Sequence, residues 1–426
     1  MLWTVRPKGC GRMRRYEPFS KKQLQLLTWW RERSPYCGFD GIIADGAVRS
    51  GKTLAMSLSF VLWAMAAFDG GDFAMCGKTM GSLRRNVWND LKPRLLSRGF
   101  MVREVWSERR LEIRGAHSAN RFYVFGGGDA GSADLIQGMT LCGVLFDEAA
   151  LMNEGFVNQA AARCSVPGSK FWFNCNPEGP RHWFKTQWVD KRKEKRLCYL
   201  HFTMADNLSL IPEVRERYER MYTGVFYDRY VLGRWAAAEG LVYDMFGPGC
   251  MADGGVRSYE QYYVSCDYGT QNPTVFLLWG LSGGVWYAAR EYYYDGRAHG
   301  IQKTDAQYAD DLEVFTAEVP YRAVILDPSA ASFIAELRRR GVKVRRARNA
   351  VLDGIRLTGS LLSQGKIKIC RGLENTIQEF GSYRWEEAAL SRGEDRPVKE
   401  HDHAMDAVRY FCATMLGEKR RENKSR

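Results

Sequence analysis

Eight consecutive residues, Gly46-Ala47-Val48-Arg49-Ser50-Gly51-Lys52-Thr53, meet the pattern G-x-x-x-x-G-K-[ST] at every fixed position. The chemistry of such a stretch is phosphate capture. The glycines let backbone N–H groups turn inward around phosphate oxygens, with the positive end of a following helix behind them. Gly46, Ser50 and Gly51 belong to that cradle, Lys52 is expected to reach the β/γ-phosphates of ATP, and the Thr53 hydroxyl to hold Mg²⁺. Arg49 inside the loop puts a guanidinium beside the phosphates, where it can stabilise developing charge. Downstream, Val144-Leu145-Phe146 runs into Asp147-Glu148. The first acid suits Mg²⁺ support, and the second suits a general base that primes water. Two further sites are open readings. Gln23 could recognise a base edge, and Asn174 and Asn176 could sense the γ-phosphate or cap a turn before Pro177.

A second set of acids lies in the other half of the chain. Asp267 closes the apolar run from Gln261, Asp327 closes Ala323 to Leu326, and Asp402 and Asp406 stand one helical turn apart with His403 between them. Ala404, Ala407, Val408, Phe411, Cys412 and Met415 form a 3.6-residue stripe behind those acids. Read blandly, Asp402 caps this helix and Asp406 faces solvent. Read together, acids at the end of one strand, at the end of a fourth and on the last helix make a ribonuclease-H arrangement. Its carboxylates converge on two divalent ions about 3.5–4 Å apart.

Positioning these residues requires two kinds of scaffold. In the first half, strands at Gly41–Ala44, 72–76, 111–113, 121–125, 141–147, 170–174 and 197–202 alternate with helices at 54–67, 82–96, 154–164, 181–188 and 213–222. That alternation predicts a mostly parallel sheet with helices on both faces. In the second half, strands at 261–267, 275–279 and 285–293 form an antiparallel meander. After it come helix 305–316, strand 323–327, helix 330–340, strand 342–345, helix 354–363, strand 366–370, helix 373–383 and the last helix from Asp402. The expected division is an ATPase domain over 1–223, a linker over 224–240, a nuclease domain over 241–416 and a basic tail over 417–426.

The 426 residues carry a net charge of +13, with a pI near 9.2 and a mean hydropathy of −0.38. The balance points to a polyanionic partner. Basic clusters at Arg6–Arg15, Lys191–Arg196, Arg338–Arg348 and the C-terminal tail favour nucleic-acid phosphate. No apolar run is long enough for a membrane span, and the N-terminus lacks the apolar core of a secretory signal. The 11 cysteines show no zinc spacing, and several of them (Cys76, Cys142, Cys175 and Cys266) sit in apolar runs, which suits a reducing cytoplasm.

A P-loop NTPase of RecA/ASCE-like type followed by a ribonuclease-H-like nuclease resembles the large terminase subunit of tailed bacteriophages, nearest its PBSX-type branch. The resemblance is carried by the arginine-containing P-loop, Phe122-Tyr123-Val124-Phe125-Gly126-Gly127 with Ile136-Gln137-Gly138-Met139-Thr140, and Leu145–Ala149. In the second half it is carried by Cys266-Asp267-Tyr268-Gly269-Thr270-Gln271-Asn272-Pro273, Leu326-Asp327-Pro328 and Asp402–Ala407. It implies an ATP-driven motor that moves double-stranded viral DNA into a procapsid through the portal protein, with a nuclease that cuts the concatemer. It also implies a small terminase subunit as partner, a homo-oligomeric ring on the portal from a monomer in solution, and work in the host bacterial cytoplasm. Carried over, Lys52, Thr53 and Asp147 serve ATP–Mg²⁺, Glu148 is the catalytic acid, and Asp267, Asp327 and Asp406 hold Mg²⁺ or Mn²⁺ with His403 in support. Asp402 competes for the role of Asp406.

Two other classes fit parts of the pattern. A P-loop helicase or translocase without nuclease activity would carry a second RecA-like domain where the meander stands. A non-catalytic scaffold with degenerate sites would not keep Lys52, Glu148 and three acids.

Overall fold

The strand that leads into the glycine loop, β1 (Gly41–Gly46), is buried along its whole length. In the computed structural model, which describes residues 19–253, 258–269 and 272–417, it belongs to a sheet with β2 (Asp72–Gly77), β3 (Met101–Val105), β4 (Arg110–Arg114), β5 (Ala119–Gly126), β6 (Gly143–Asp147), β7 (Lys170–Asn174) and β8 (Leu197–Phe202). The spatial order is β3-β4-β5-β2-β6-β7-β1-β8. From β5 to β8 all neighbours are parallel, and β3–β4 is an antiparallel hairpin on β5. Strands covered on both faces must be apolar throughout, and Ile42, Ile43, Phe73, Val144, Phe146, Trp172 and Phe173 meet that demand. The order puts β7 between the P-loop strand and the strand ending in Asp147. The end of β7 therefore lies between phosphate cradle and acid.

Helix Lys52–Ala67 starts from Gly51, whose left-handed φ of 81° suits a glycine. It is apolar nearly all round, as a buried helix must be. Its Phe60 and Trp63 pack against Phe73 and Trp172.

Four local expectations are corrected. Helix Lys21–Thr28 is absent from the expected elements, although its Ser20–Gln23 capping box is legible as Ser-x-x-Gln. Strand β3 escapes sequence reading because it lies at the sheet edge with Met101 exposed. The helix expected over 181–188 begins only at Trp183, after a turn beyond Pro180, and runs to Val189, widening over Lys185–Val189. The run expected as one helix over 82–96 is helical from Met80 to Leu96, but widens at Arg84–Trp88.

The second sheet holds β9 (Met251–Ala252), β10 (Gln261–Asp267), β11 (Thr274–Ser282), β12 (Val285–Tyr294), β13 (Tyr321–Leu326), β14 (Val344–Arg346) and β15 (Ile367–Cys370), in the order β14-β13-β10-β11-β12-β15-β9. β10-β11-β12 is the antiparallel meander, and β13 joins parallel to β10 with Cys266 opposite Leu326. That register brings Asp267 and Asp327 to the same end of adjacent strands. The last helix, His403–Phe411, lies on this sheet through Phe411, stacked 4.1 Å from Trp279.

By compactness the chain forms two units. One runs to Asn176 and adds Gln187–Arg215; the other takes Pro177–Thr186 and everything from Glu216. The segment expected as a linker over 224–240 begins with a helix, Gly224–Tyr230. Two expected basic clusters, Arg6–Arg15 and 418–426, lie outside the described residues, as do Thr270 and Gln271. Among the described residues no helix is long and apolar enough to cross a membrane.

Candidate active sites

The phosphate loop is held from several directions. A Cβ on Gly46, whose φ is 124°, would stand 1.9 Å from the Phe202 carbonyl oxygen, so only glycine lets the loop leave the sheet there. Ala47 N–H donates to that same carbonyl at 2.8 Å. Asn207 donates to the Arg49 carbonyl at 2.7 Å, and Arg49 itself has a left-handed φ of 57°. Gln23 is buried; its Oε1 accepts from Ser20 N–H, and its Nε2 lies against Gly51. The residue expected at a base edge thus has its carbonyl on a helix cap and its amide beside the loop.

Lys52 donates to the carbonyls of Gly46 (2.9 Å) and Ala47 (2.7 Å), to Ser50 Oγ and to Asn176 Oδ1, both at 3.2 Å. Burial lowers its ammonium to about 8. Asn174, at the end of β7, donates its Nδ2 to Thr53 Oγ1 at 3.0 Å and to Asp147 Oδ1 at 2.6 Å. A hydroxyl and a carboxylate thus meet at one amide, and the Asn174 Oδ1 is buried with no hydrogen-bond partner. These are hard oxygen donors, and they fit Mg²⁺. Burial, then the charge of Glu148, pushes the Asp147 carboxyl up to about 7. Glu148 is also raised, by burial, against the pull of Lys78. Its φ of 61° is a conformation that costs an ordinary residue about 1–2 kcal/mol and is concentrated at functional sites.

In the second sheet, Asp267 accepts from His403 Nδ1 at 2.9 Å, and burial raises its carboxyl to about 6. Burial pulls the imidazole down, but Asp267 prevails and His403 is raised. Asp327 accepts from Ser329 N–H at 2.8 Å and from Asn349 Nδ2 at 3.1 Å; against burial, these hold it below the ordinary range. Asp406 pairs with Arg409 at 2.7 Å, so it does not simply face solvent. Asp267 ends the strand beside that of Asp327 and bonds His403, three residues before Asp406 on the last helix, which puts the three acids in one neighbourhood. The oxygen-rich donor set suits divalent ions. Among the described residues, however, no three His, Cys, Asp or Glu side chains are arranged to hold a metal. The expected convergence is thus one of neighbourhood and not of ligand geometry. Like charges repel, and each carboxylate leans on its own donor: His403, Asn349 or Arg409.

Asp402 occupies the N-cap position of the last helix but makes no cap hydrogen bond, which corrects the capping reading. Glu379, from helix Glu374–Ser382, caps instead: its Oε2 accepts from the N–H groups of Ala404 (2.7 Å) and Met405 (3.2 Å), and its Oε1 from Tyr293 at 3.0 Å. Glu291 of β12 in turn caps the helix that carries Glu379, accepting from Asn375 and Thr376 N–H. No spacing pattern announces caps supplied from so far along the chain. Burial outweighs these donors and raises Glu379 from 4.5 to about 7. Its stabilising contribution is therefore full below about 4.5 and lost as pH rises through about 7. Glu379→Gln should flatten that decline, which amounts to on the order of 3 kcal/mol, in denaturant titrations across this window; an unchanged slope would remove the assignment.

Of the basic clusters, Lys191–Arg196 is partly spent internally, with Arg192 over Tyr199 and Lys195 over Trp188. Arg339 and Arg340 pair with Glu336, and Arg340 also with Asp310 and Glu313. Lys343, Arg345, Arg346 and Arg348 are exposed on and beside edge strand β14, next to the strand that ends at Asp327.

Known proteins bear on this geometry. The phage terminase large subunit family model matches residues 41–234. The solved large terminase of a thermophilic bacteriophage is 55% identical over 94% of this chain and all of that one, with a TM-score of 0.89. The chain belongs to the large terminase family. The same thermophilic-phage protein has also been solved with ADP and with ATP-gamma-S, each at a TM-score of 0.86 to this chain. The large terminase subunit of Escherichia phage T5 is 25% identical over 356 residues, 77% of each chain. As a large terminase subunit, this protein is an ATPase and a nuclease of phage DNA packaging, and the helicase reading is not favoured.

Proposed function

We propose that this large terminase hydrolyses ATP at the P-loop and cuts double-stranded viral DNA at the end of β10 and β13. The thermophilic-phage complexes with ADP and ATP-gamma-S support nucleotide binding. Lys52 would leave the loop carbonyls for the β/γ-phosphates, Arg49 would face the charge that develops on the transferred group, and Glu148 would accept the proton of the attacking water. Thr53 and Asp147 would hold Mg²⁺, which supplies charge neutralisation on the phosphates. Asn174 would hold both ligands in place, and Asn176 would take up the position of Lys52.

In the nuclease unit, Asp267, Asp327 and Asp406 would be the carboxylates for a divalent pair, Mn²⁺ or Mg²⁺, which when bound activates water and steadies the leaving oxygen. His403 would orient Asp267, and Asp402, freed from capping by Glu379, remains a second candidate beside Asp406. DNA would reach this end along exposed Lys343, Arg346 and Arg348. The portal protein, a small terminase subunit and a ring of copies on the procapsid complete the reading, in the host cytoplasm.

The observation that carries the proposal is the pairing of a hydroxyl and a buried acid through Asn174 beneath the P-loop, with a separate group of acids on another sheet. The test uses purified protein, plasmid DNA and Mn²⁺. Asp327→Ala should abolish cutting and keep ATP turnover, whereas Lys52→Ala should lose turnover and still cut. Cutting by Asp327→Ala at the parent rate would overturn the nuclease assignment.

Binding through phosphate contacts also fixes a salt response. With six to ten such contacts, DNA affinity should fall about 10³–10⁵-fold between 50 and 200 mM salt. A flat response in a filter-binding series would show that the contacts are of another kind.

A further inference from the structure

We propose that Arg409 and Asn349 are positioning residues of the nuclease site, a hydrogen-bonded brace that sets Asp406 against Asp327. The proposal rests on the reading of those two acids as metal-holding carboxylates. Arg409 gives its Nε and Nη2 to Asp406 Oδ1, at 3.1 and 2.7 Å. Its Nη1 donates to the Asn349 carbonyl at 2.9 Å, and Asn349 Nδ2 donates to Asp327 Oδ2 at 3.1 Å. One continuous chain of hydrogen bonds thus runs from the acid on the last helix to the acid after β13.

The arginine side chain is only 3% exposed, and ionic groups are costly to bury. An incidental pair three residues apart on a helix would lie at the surface. This one has a seat prepared for it. Gly354, inside helix Val351–Ser363, leaves the groove through which the arginine stem passes; a Cβ there would stand 2.5 Å from Arg409 Cγ and 2.8 Å from Cδ. Glycine is unfavourable inside a helix, so the helix gives up stability at the point where Arg409 crosses it.

The brace also divides the labour of the oxygens. Both nitrogens of the fork fall on Asp406 Oδ1, while Oδ2 has only the Tyr410 hydroxyl at 3.5 Å. A carboxylate held in this way presents one fixed oxygen to a cation, which is the task of an outer partner in a metal site.

The experiment is calorimetric titration of Mn²⁺ into the nucleotide-free full chain, with the thermal midpoint of every variant recorded. Arg409→Lys keeps the charge and loses the fork; Asn349→Ala removes the far end of the brace at an exposed position, so it decides the matter should Arg409→Lys fail to fold. Both are expected to weaken Mn²⁺ binding about 10–100-fold with the midpoint little moved. Parent-like affinity in Asn349→Ala, while Asp406→Asn abolishes binding, overturns the brace and leaves the nuclease reading standing. Parent-like affinity in Asp406→Asn overturns the reading of Asp406 as a metal-holding carboxylate, in favour of Asp402, and the brace with it.

Discussion

Glu148→Gln is expected to bind ATP within a few-fold of the parent and to lose hydrolysis by about 10²–10⁴-fold, the usual contribution of a general base. The amide matches the carboxylate in shape but cannot take a proton. Glu148 is suited to that proton because burial raises its carboxyl above the ordinary range. Asp147 differs: it meets Asn174, and through it Thr53, at the end of β7, and its change to Asn should weaken Mg²⁺-dependent binding as well as turnover. Single-turnover hydrolysis beside equilibrium binding of a fluorescent ATP analogue separates the two. Normal turnover in Glu148→Gln would remove its assignment as base.

The second large effect belongs to Asp267→Asn. This carboxyl ends β10, one strand from Asp327, and His403 holds its Oδ2 at 2.9 Å. Loss of the charge should reduce Mn²⁺-dependent DNA cutting by more than about 10²-fold, beyond the roughly 10–100-fold typical of losing an outer partner. His403→Ala should fall inside that smaller range, because it leaves the carboxylate in place. Supercoiled plasmid assayed over a Mn²⁺ series reads both, and equal losses would mean that His403 does more than orient Asp267.

Much of this scaffold is legible before any coordinates. Strands Lys170–Asn174, Leu197–Phe202 and Gln261–Asp267 match their expected bounds because buried strands are continuous apolar runs with punctuated ends. The P-loop is readable because its spacing follows from the geometry of phosphate binding. What sequence reading misses has a common cause. The helix expected over 181–188 starts two residues late, at Trp183, and widens over Lys185–Val189, a detail that no apolar spacing announces. Gly224–Tyr230 reads as linker because Gly224 and Gly233 flank it, though its helix buries Phe226 and Arg229. Glu379 and Asn349 carry no local signal because each finds its partner through the fold, and Arg409, three residues from Asp406, reads locally as an ordinary surface pair. A buried glutamate capping a remote helix has no sequence period, and an asparagine that touches an acid across a sheet edge has none either.

The borrowed caps tie the stability of the last helix to elements far from it in the chain. A segment as short as His403–Phe411 does not persist as a helix by itself in water, and its first amides are satisfied by Glu379, whose own helix is satisfied by Glu291 on the meander. Damage to Glu291 on the sheet is therefore felt two helices away, at the start of the segment that bears His403 and Asp406.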